Sequence, residues 1–238
     1  MIKITVNNTE IFYQRHLGDA PVILLHGWGG SHISMQGAYN FLSAQGCDVL
    51  NLDLPGFGLS PSPPDSYTLE DYAECIKEIA VRLELKDVTL IGHSFGGRIS
   101  ILLANEPWVK KIILTAAAGI KPKFSLKKHI KVKRYKRAKK RGADTSNFGS
   151  KDYKALCPVM QKIFVRIVNR HLDEDIKNIK TPTLLVWGKH DTETPLYMAK
   201  KILRSVSESG LVVFEGGHYV YAEKHSEFCS VLKSFLDS

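Results

Sequence analysis

Two kinds of hydrophobic pattern alternate along most of this chain. Short runs are almost wholly apolar, and the longer segments between them carry an apolar residue every three or four positions. Pro21-Val22-Ile23-Leu24-Leu25 is the purest run, and Val49–Leu54, Val88–Ile91, Val109–Thr115, Thr183–Trp187 and Leu211–Phe214 resemble it. All six are expected to be strands, and since a strand buried on both faces loses the in-out alternation of a half-exposed one, the Pro21 and Val88 runs are expected to be buried ones. Met35, Ala38, Tyr39 and Leu42 predict a helix over 35–44, closed by Gly46. Tyr72, Ala73, Ile76, Ile79, Ala80 and Leu83 form the stripe of another over 68–83, with Thr68 and Asp71 as a capping box. Ile99, Leu102 and Leu103 carry a helix from Gly96 towards Pro107. Thr194-Pro195 reads as the cap and first residue of a further helix, lined by Met198, Ile202 and Leu203, and Phe228, Leu232, Phe235 and Leu236 line a last one. Ahead of them, Ile2–Val6 and Ile11–Leu17 read as an N-terminal hairpin. Strands alternating with helices predict an α/β fold, a mostly parallel central sheet with helices on both faces.

The alternation breaks once. From Lys121 to about Lys180 there is no strand pattern. Leu126, Ile130 and Tyr135 fall on one side of a helix-compatible run, and Gly142–Gly149 is a polar connector. Tyr153, Leu156, Met160, Ile163 and Ile167 then return to helical spacing, with Pro158 expected to kink or break the helix. Roughly sixty residues is too long for a plain loop. The chain therefore divides into a core of 1–120 and 181–238 and a helical insertion of 121–180.

Charge changes the picture only locally. The net charge is +9, but residues 121–141 hold twelve lysines and arginines and no acid. The rest of the chain carries 21 basic against 24 acidic residues, so a nucleic-acid role for the whole surface is not expected. The basic run could steer anionic substrates or meet an acidic membrane surface, or it is simply a solvated helix face. Cys47, Cys75, Cys157 and Cys229 are scattered, with neither C-x-x-C nor metal-ligand spacing, and read as free thiols in a reducing compartment. Met1-Ile2-Lys3-Ile4 opens no signal peptide, and no apolar run reaches membrane-span length. The expected location is the cytoplasm, with no metal or organic cofactor.

Gly92-His93-Ser94-Phe95-Gly96 is a G-x-S-x-G at the junction of an apolar run and a helix. That context puts a serine on a sharp strand-to-helix turn with its hydroxyl exposed. A serine hydroxyl is a poor nucleophile until a base takes its proton, and the base needs an orienting acid. Asp191 ends a later strand, and His218 follows the last one. In a parallel sheet all three collect at the carboxyl ends of the strands. Ser94, Asp191 and His218 thus form a candidate nucleophile, acid and base in the order of a hydrolase triad. Among the other histidines, His26 and His93 lie within motifs and serve turn geometry, while His190 precedes the acid. His16, His32, His129, His171 and His225 follow no core strand. Asp53, at a strand end before Pro55-Gly56, is expected to hydrogen-bond the turn that follows it. The backbone N–H groups of Phe95 and of Trp28, in the turn after the first buried strand, are the expected oxyanion donors.

These residues carry a family resemblance. His26-Gly27-Trp28-Gly29-Gly30, Asp53-Leu54-Pro55-Gly56-Phe57-Gly58, Gly92-His93-Ser94-Phe95-Gly96-Gly97, Trp187-Gly188-Lys189-His190-Asp191 and Gly217-His218 span nearly the whole chain outside the insertion. In these the sequence resembles the α/β-hydrolase fold enzymes, in the lid-bearing group that includes carboxylesterases, lipases and carbon–carbon hydrolases. The resemblance implies that 121–180 is a lid. Ser94 argues against the haloalkane dehalogenase branch, whose nucleophile is an aspartate, and the dense basic run is a departure from the family. The leading expectation is a serine hydrolase acting on a small-molecule ester of small to medium size. The alternatives are a carbon–carbon bond hydrolase on the same triad and a non-catalytic ligand receptor on the same scaffold.

Overall fold

The apolar runs become six strands of one eight-stranded sheet, five of them inside it and Leu211–Phe214 at its half-buried edge. In the computed structural model, residues 1–123 and 156–238 are described, together with Lys133, Arg137, Arg141 and Tyr153. The strands are β1 (Ile2–Val6), β2 (Thr9–His16), β3 (Pro21–Leu25), β4 (Asp48–Asp53), β5 (Val88–His93), β6 (Val109–Thr115), β7 (Thr183–Gly188) and β8 (Ser209–Phe214). Their spatial order is β1-β2-β4-β3-β5-β6-β7-β8. β1 and β2 form the antiparallel hairpin, β2 runs antiparallel to β4, and every later pairing is parallel. The helices are α1 (Gln36–Ala44), α2 (Leu69–Arg82), α3 (Phe95–Leu103), α4 (Pro158–Asn169), α5 (Tyr197–Ser205), α6 (Val220–Glu223) and α7 (His225–Leu236).

Successive side chains of a strand face opposite ways, and β3 shows the consequence. Val22 and Leu24 join the core with α1 and α7 residues such as Leu42 and Phe228, while Ile23 and Leu25 join the core with α2, α3 and α5. Both faces are dry, which is why the central strands read as continuous apolar runs. The Thr68–Asp71 capping box opens α2: the Asp71 N–H donates to Thr68 Oγ1 at 3.1 Å, and the Thr68 N–H to Asp71 Oδ2 at 2.8 Å.

The break expected at Pro158 is present: Tyr153 is helical, Leu156 and Cys157 are not, and Pro158 is the first residue of α4, where its missing N–H costs nothing. The other expected helix start is revised. Thr194-Pro195 does not open α5, which begins at Tyr197. The Thr194 side chain turns instead to Asp191, and Pro195 precedes the helix, its carbonyl accepting from the Met198 N–H at 2.8 Å.

Between β6 and β7 the described residues hold no strand; they contain α4 and a short 3-10 turn, Asp175–Asn178. The expected helix through Leu126, Ile130 and Tyr135, and the Gly142–Gly149 connector, lie outside the described residues, as does most of the basic run. α4 is tied to the core by basic side chains. The Arg166 guanidinium donates to the Asp65 and Tyr67 carbonyls at 2.9 and 2.7 Å, and Arg170 pairs with Glu70 and Asp175. No helix among the described residues is long and apolar enough to cross a membrane.

Candidate active site

The turn after β5 is forced into a rare shape. Ser94 has φ 48° and ψ −102°, outside the conformations a non-glycine residue adopts without cost. It is fixed there by neighbouring strands: its N–H donates to the Thr115 carbonyl, and its own carbonyl accepts from the Ala118 N–H, both at 3.0 Å. Gly96 makes the turn sterically feasible, because a Cβ there would stand 2.1 Å from the Leu25 carbonyl oxygen. Ser94 is half-buried between buried neighbours.

Asp191 and His218, 27 residues apart, meet at the ends of β7 and β8. Gly188 permits the meeting, since a Cβ on it would lie 2.0 Å from the Gly217 carbonyl oxygen. The His218 Nδ1 stands 2.9 Å from Asp191 Oδ2. The second carboxylate oxygen accepts from the N–H groups of Glu193 and Thr194 at 2.8 and 2.9 Å. The Thr194 hydroxyl lies 2.7 Å from Oδ2, and the Trp187 indole donates to the Thr194 carbonyl at 2.6 Å. Burial pushes the Asp191 carboxyl up, but the hydrogen bonds from His218 and Thr194 outweigh it and leave it below the usual carboxylate range. An ionised Asp191 holds the Nδ1 proton on His218 and leaves Nε2 for chemistry.

Nε2 does not hydrogen-bond Ser94 in this structure; its nearest charged partner is Glu193 Oε2 at 3.5 Å. Ser94, His218 and Glu193 line one cavity of about 820 Å³ with Gly27, Trp28 and Phe95. Phe95 is the first residue of α3, so its N–H has no intrahelical acceptor. Neither it nor the Trp28 N–H is matched to an acceptor among the described residues. The two loops are held together, for the Gly96 N–H donates to the His26 carbonyl at 3.1 Å. One wall is aromatic: Trp28 packs edge-on against Phe57, Phe95 and, from α4, Phe164, at 4.9, 5.1 and 5.1 Å. Leu156, Ile167 and Val168 continue it.

The two motif histidines are structural, with tautomers dictated by their partners. His26 Nε2 accepts from the Leu54 N–H at 3.0 Å, so Nδ1 carries the proton and donates to the Gly27 carbonyl at 2.7 Å. His93 Nε2 faces the His218 carbonyl at 3.0 Å and must be the donor. Burial holds both neutral, His26 down to about 4 and His93 to about 3. Asp53 accepts from the Leu59 and His32 N–H groups at 2.9 and 2.7 Å, the turn-bracing expected of it.

Two cavity-lining residues, Glu193 and Arg98, were given no role by the sequence reading, since neither belongs to a motif. Thr194 was read as a helix cap, whereas its hydroxyl and N–H serve Asp191. No group of three or more His, Cys, Asp or Glu residues among the described residues could hold a metal ion.

Comparison with known proteins agrees with this architecture. A family model described as the alpha/beta hydrolase fold matches residues 20–138. The AB hydrolase superfamily protein YisY of Bacillus subtilis is 26% identical over 250 residues, covering 92% of each chain. An esterase from Exiguobacterium antarcticum superposes with a TM-score of 0.80 at 24% identity, covering 98% of both chains. A meta-cleavage product hydrolase from Pseudomonas fluorescens superposes with a TM-score of 0.78 at 20% identity, covering 100% of this chain and 97% of that one.

Proposed function

Because the chain belongs to the alpha/beta hydrolase fold family, we propose that it is a serine hydrolase that cleaves small to medium carboxylic esters through an acyl-enzyme. The observation that carries this reading is the 2.9 Å contact of His218 Nδ1 with Asp191 Oδ2, on the same cavity as a serine held at φ 48°. Ser94 Oγ adds to the ester carbonyl carbon as His218 Nε2 takes its proton. The negative oxygen is received by the Trp28 and Phe95 N–H groups. Collapse breaks the bond to the alcohol oxygen, which leaves with the proton from His218. Water, deprotonated by the same imidazole, then releases the acid and restores the Ser94 hydroxyl. Asp191 acts by holding the imidazole in one tautomer and stabilising its charged form.

In this reading the loose Nε2 tightens onto Ser94 when substrate displaces the Glu193 carboxylate, as catalytic hydrogen bonds commonly do on passing from the free to the bound state. α4, whose Phe164, Ile167 and Val168 line the cavity, belongs to the lid. The test is hydrolysis of p-nitrophenyl esters from acetate to palmitate, with Ser94→Ala in parallel. A serine-dependent optimum at short or medium acyl length is expected. Equal rates for both proteins across the series would sink the assignment.

A further inference from the structure

Arg98 is a buried cation without a buried anion. The residue is 8% exposed, and it lines the cavity that holds Ser94 and His218. Both hydrogens of Nη1 are used, on the carbonyls of Ile167 at 2.9 Å and Arg170 at 2.8 Å, at the C-terminal end of α4. The three N–H donors of Nε and Nη2 have no protein partner among the described residues, and no carboxylate pairs with the guanidinium. Its charged neighbour, Arg170, is itself committed to Glu70 and Asp175. Burial, with help from Arg170, holds the Arg98 guanidinium down to about 10.

Buried charges are ordinarily paired, because leaving water costs several kcal/mol per ion. The α4 carbonyls offset part of that cost, as a helix C-terminus does for any nearby cation. They do not use the fork: a guanidinium presents parallel N–H groups that match a carboxylate two-for-two. Arg98 sits in the first turn of α3, four positions after Ser94, and the two line the same cavity. The Glu193 carboxylate on the same cavity is 62% exposed, so solvent screens it far more than it screens Arg98. Independently, the sequence places twelve basic residues and no acid at 121–141, a run that favours the approach of anions.

We propose that Arg98 receives a carboxylate of the substrate, so that the preferred ester is the half-ester of a short dicarboxylic acid. This rests on the ester-hydrolase reading of Ser94 and names its substrate class. The free carboxylate sits on the Nε and Nη2 side of Arg98 while the scissile carbonyl meets Ser94.

The experiment compares kcat/KM for mono-p-nitrophenyl glutarate and p-nitrophenyl pentanoate, which share an acyl length and differ in the terminal charge. The wild type is expected to favour the half-ester by roughly 10- to 100-fold. Arg98→Met should bring the ratio to about one or below, and Arg98→Lys should leave it in between. A wild-type ratio of one or less overturns the proposal. So does a ratio that Arg98→Met leaves unchanged while lowering the melting temperature, which would make Arg98 only an anchor for α4. Calorimetric titration of glutarate into Ser94→Ala protein needs no turnover, so it separates this proposal from the hydrolase reading. Saturable binding that is at least tenfold weaker when Arg98→Lys is added supports the subsite, even if Arg98→Met does not fold. Absent binding, or binding indifferent to position 98, overturns it.

Discussion

At the scale of single residues, the site depends on Asp191 staying ionised. Its carboxylate is met by the His218 imidazole, two backbone N–H groups and the Thr194 hydroxyl. Asp191→Asn keeps the shape but can reverse the imidazole tautomer, so initial rates should fall roughly ten-thousand-fold with circular dichroism unchanged. The hydrogen bonds hold the carboxyl below its ordinary 3.8, so its stabilising contribution is full above that pH and is lost as pH falls through the lower folded value. Urea melts at pH 5 and pH 3 should therefore converge less for wild type than for Asp191→Asn when stability is referred to pH 7. The meeting of Asp191 with His218, on the cavity that Ser94 lines, was legible because all three come shortly after the carboxyl ends of β7, β8 and β5. Arg98 was not: its partners Ile167 and Arg170 lie 69 and 72 residues away, and its meaning comes from that meeting.

At the scale of elements, α3 and α4 decide the cavity. The close approach of α3 to β3 requires Gly96, and a methyl group there would push on backbone rather than on a yielding side chain. Gly96→Ala should cost about 3 kcal/mol or more in chemical denaturation, beyond ordinary overpacking. α4 is attached differently, by hydrogen bonds along its flank. Arg166→Ala removes those to Asp65 and Tyr67, worth about 1 kcal/mol net at such an exposed place. Its expected signature is a raised KM with kcat little changed, since α4 supplies cavity wall and no reacting group. The inner strands were readable because burial on two faces leaves an unbroken apolar run. The start of α5 was harder. Proline fits equally at a break, at a first helical turn or just outside one, and only the partners of Thr194 and Met198 decide which.

At the scale of the whole molecule, the sheet carries two neutral imidazoles at the carboxyl ends of its strands. His26 and His93 titrate at an ordinary 6.5 when unfolded, but at about 4 and about 3 when folded, principally through burial. As pH falls below 6.5 the unfolded chain takes up protons that the folded one refuses. Stability should then decline by up to about 1.4 kcal/mol per pH unit for each histidine until the folded values are reached. Denaturation between pH 7.5 and 4.5 should show this slope. His93→Gln, which keeps a donor for the His218 carbonyl, should remove about half of it. A flat profile would mean that the imidazoles are not held neutral.

The seam along α4 has a practical consequence. Three of the four thiols are buried, and burial pushes Cys47, Cys75 and Cys229 up. Cys157 is exposed at the cap of α4, 3.9 Å from the Ser62 hydroxyl across the seam, and the first-turn amide of Met160 pulls its thiol down. The thiolate is the form that alkylates, so a maleimide dye should label this one position in the unmodified chain. The protein thus carries its own attachment point for an optical reporter, and the emission of that reporter would register any parting of α4 from the loop between β4 and α2 during turnover.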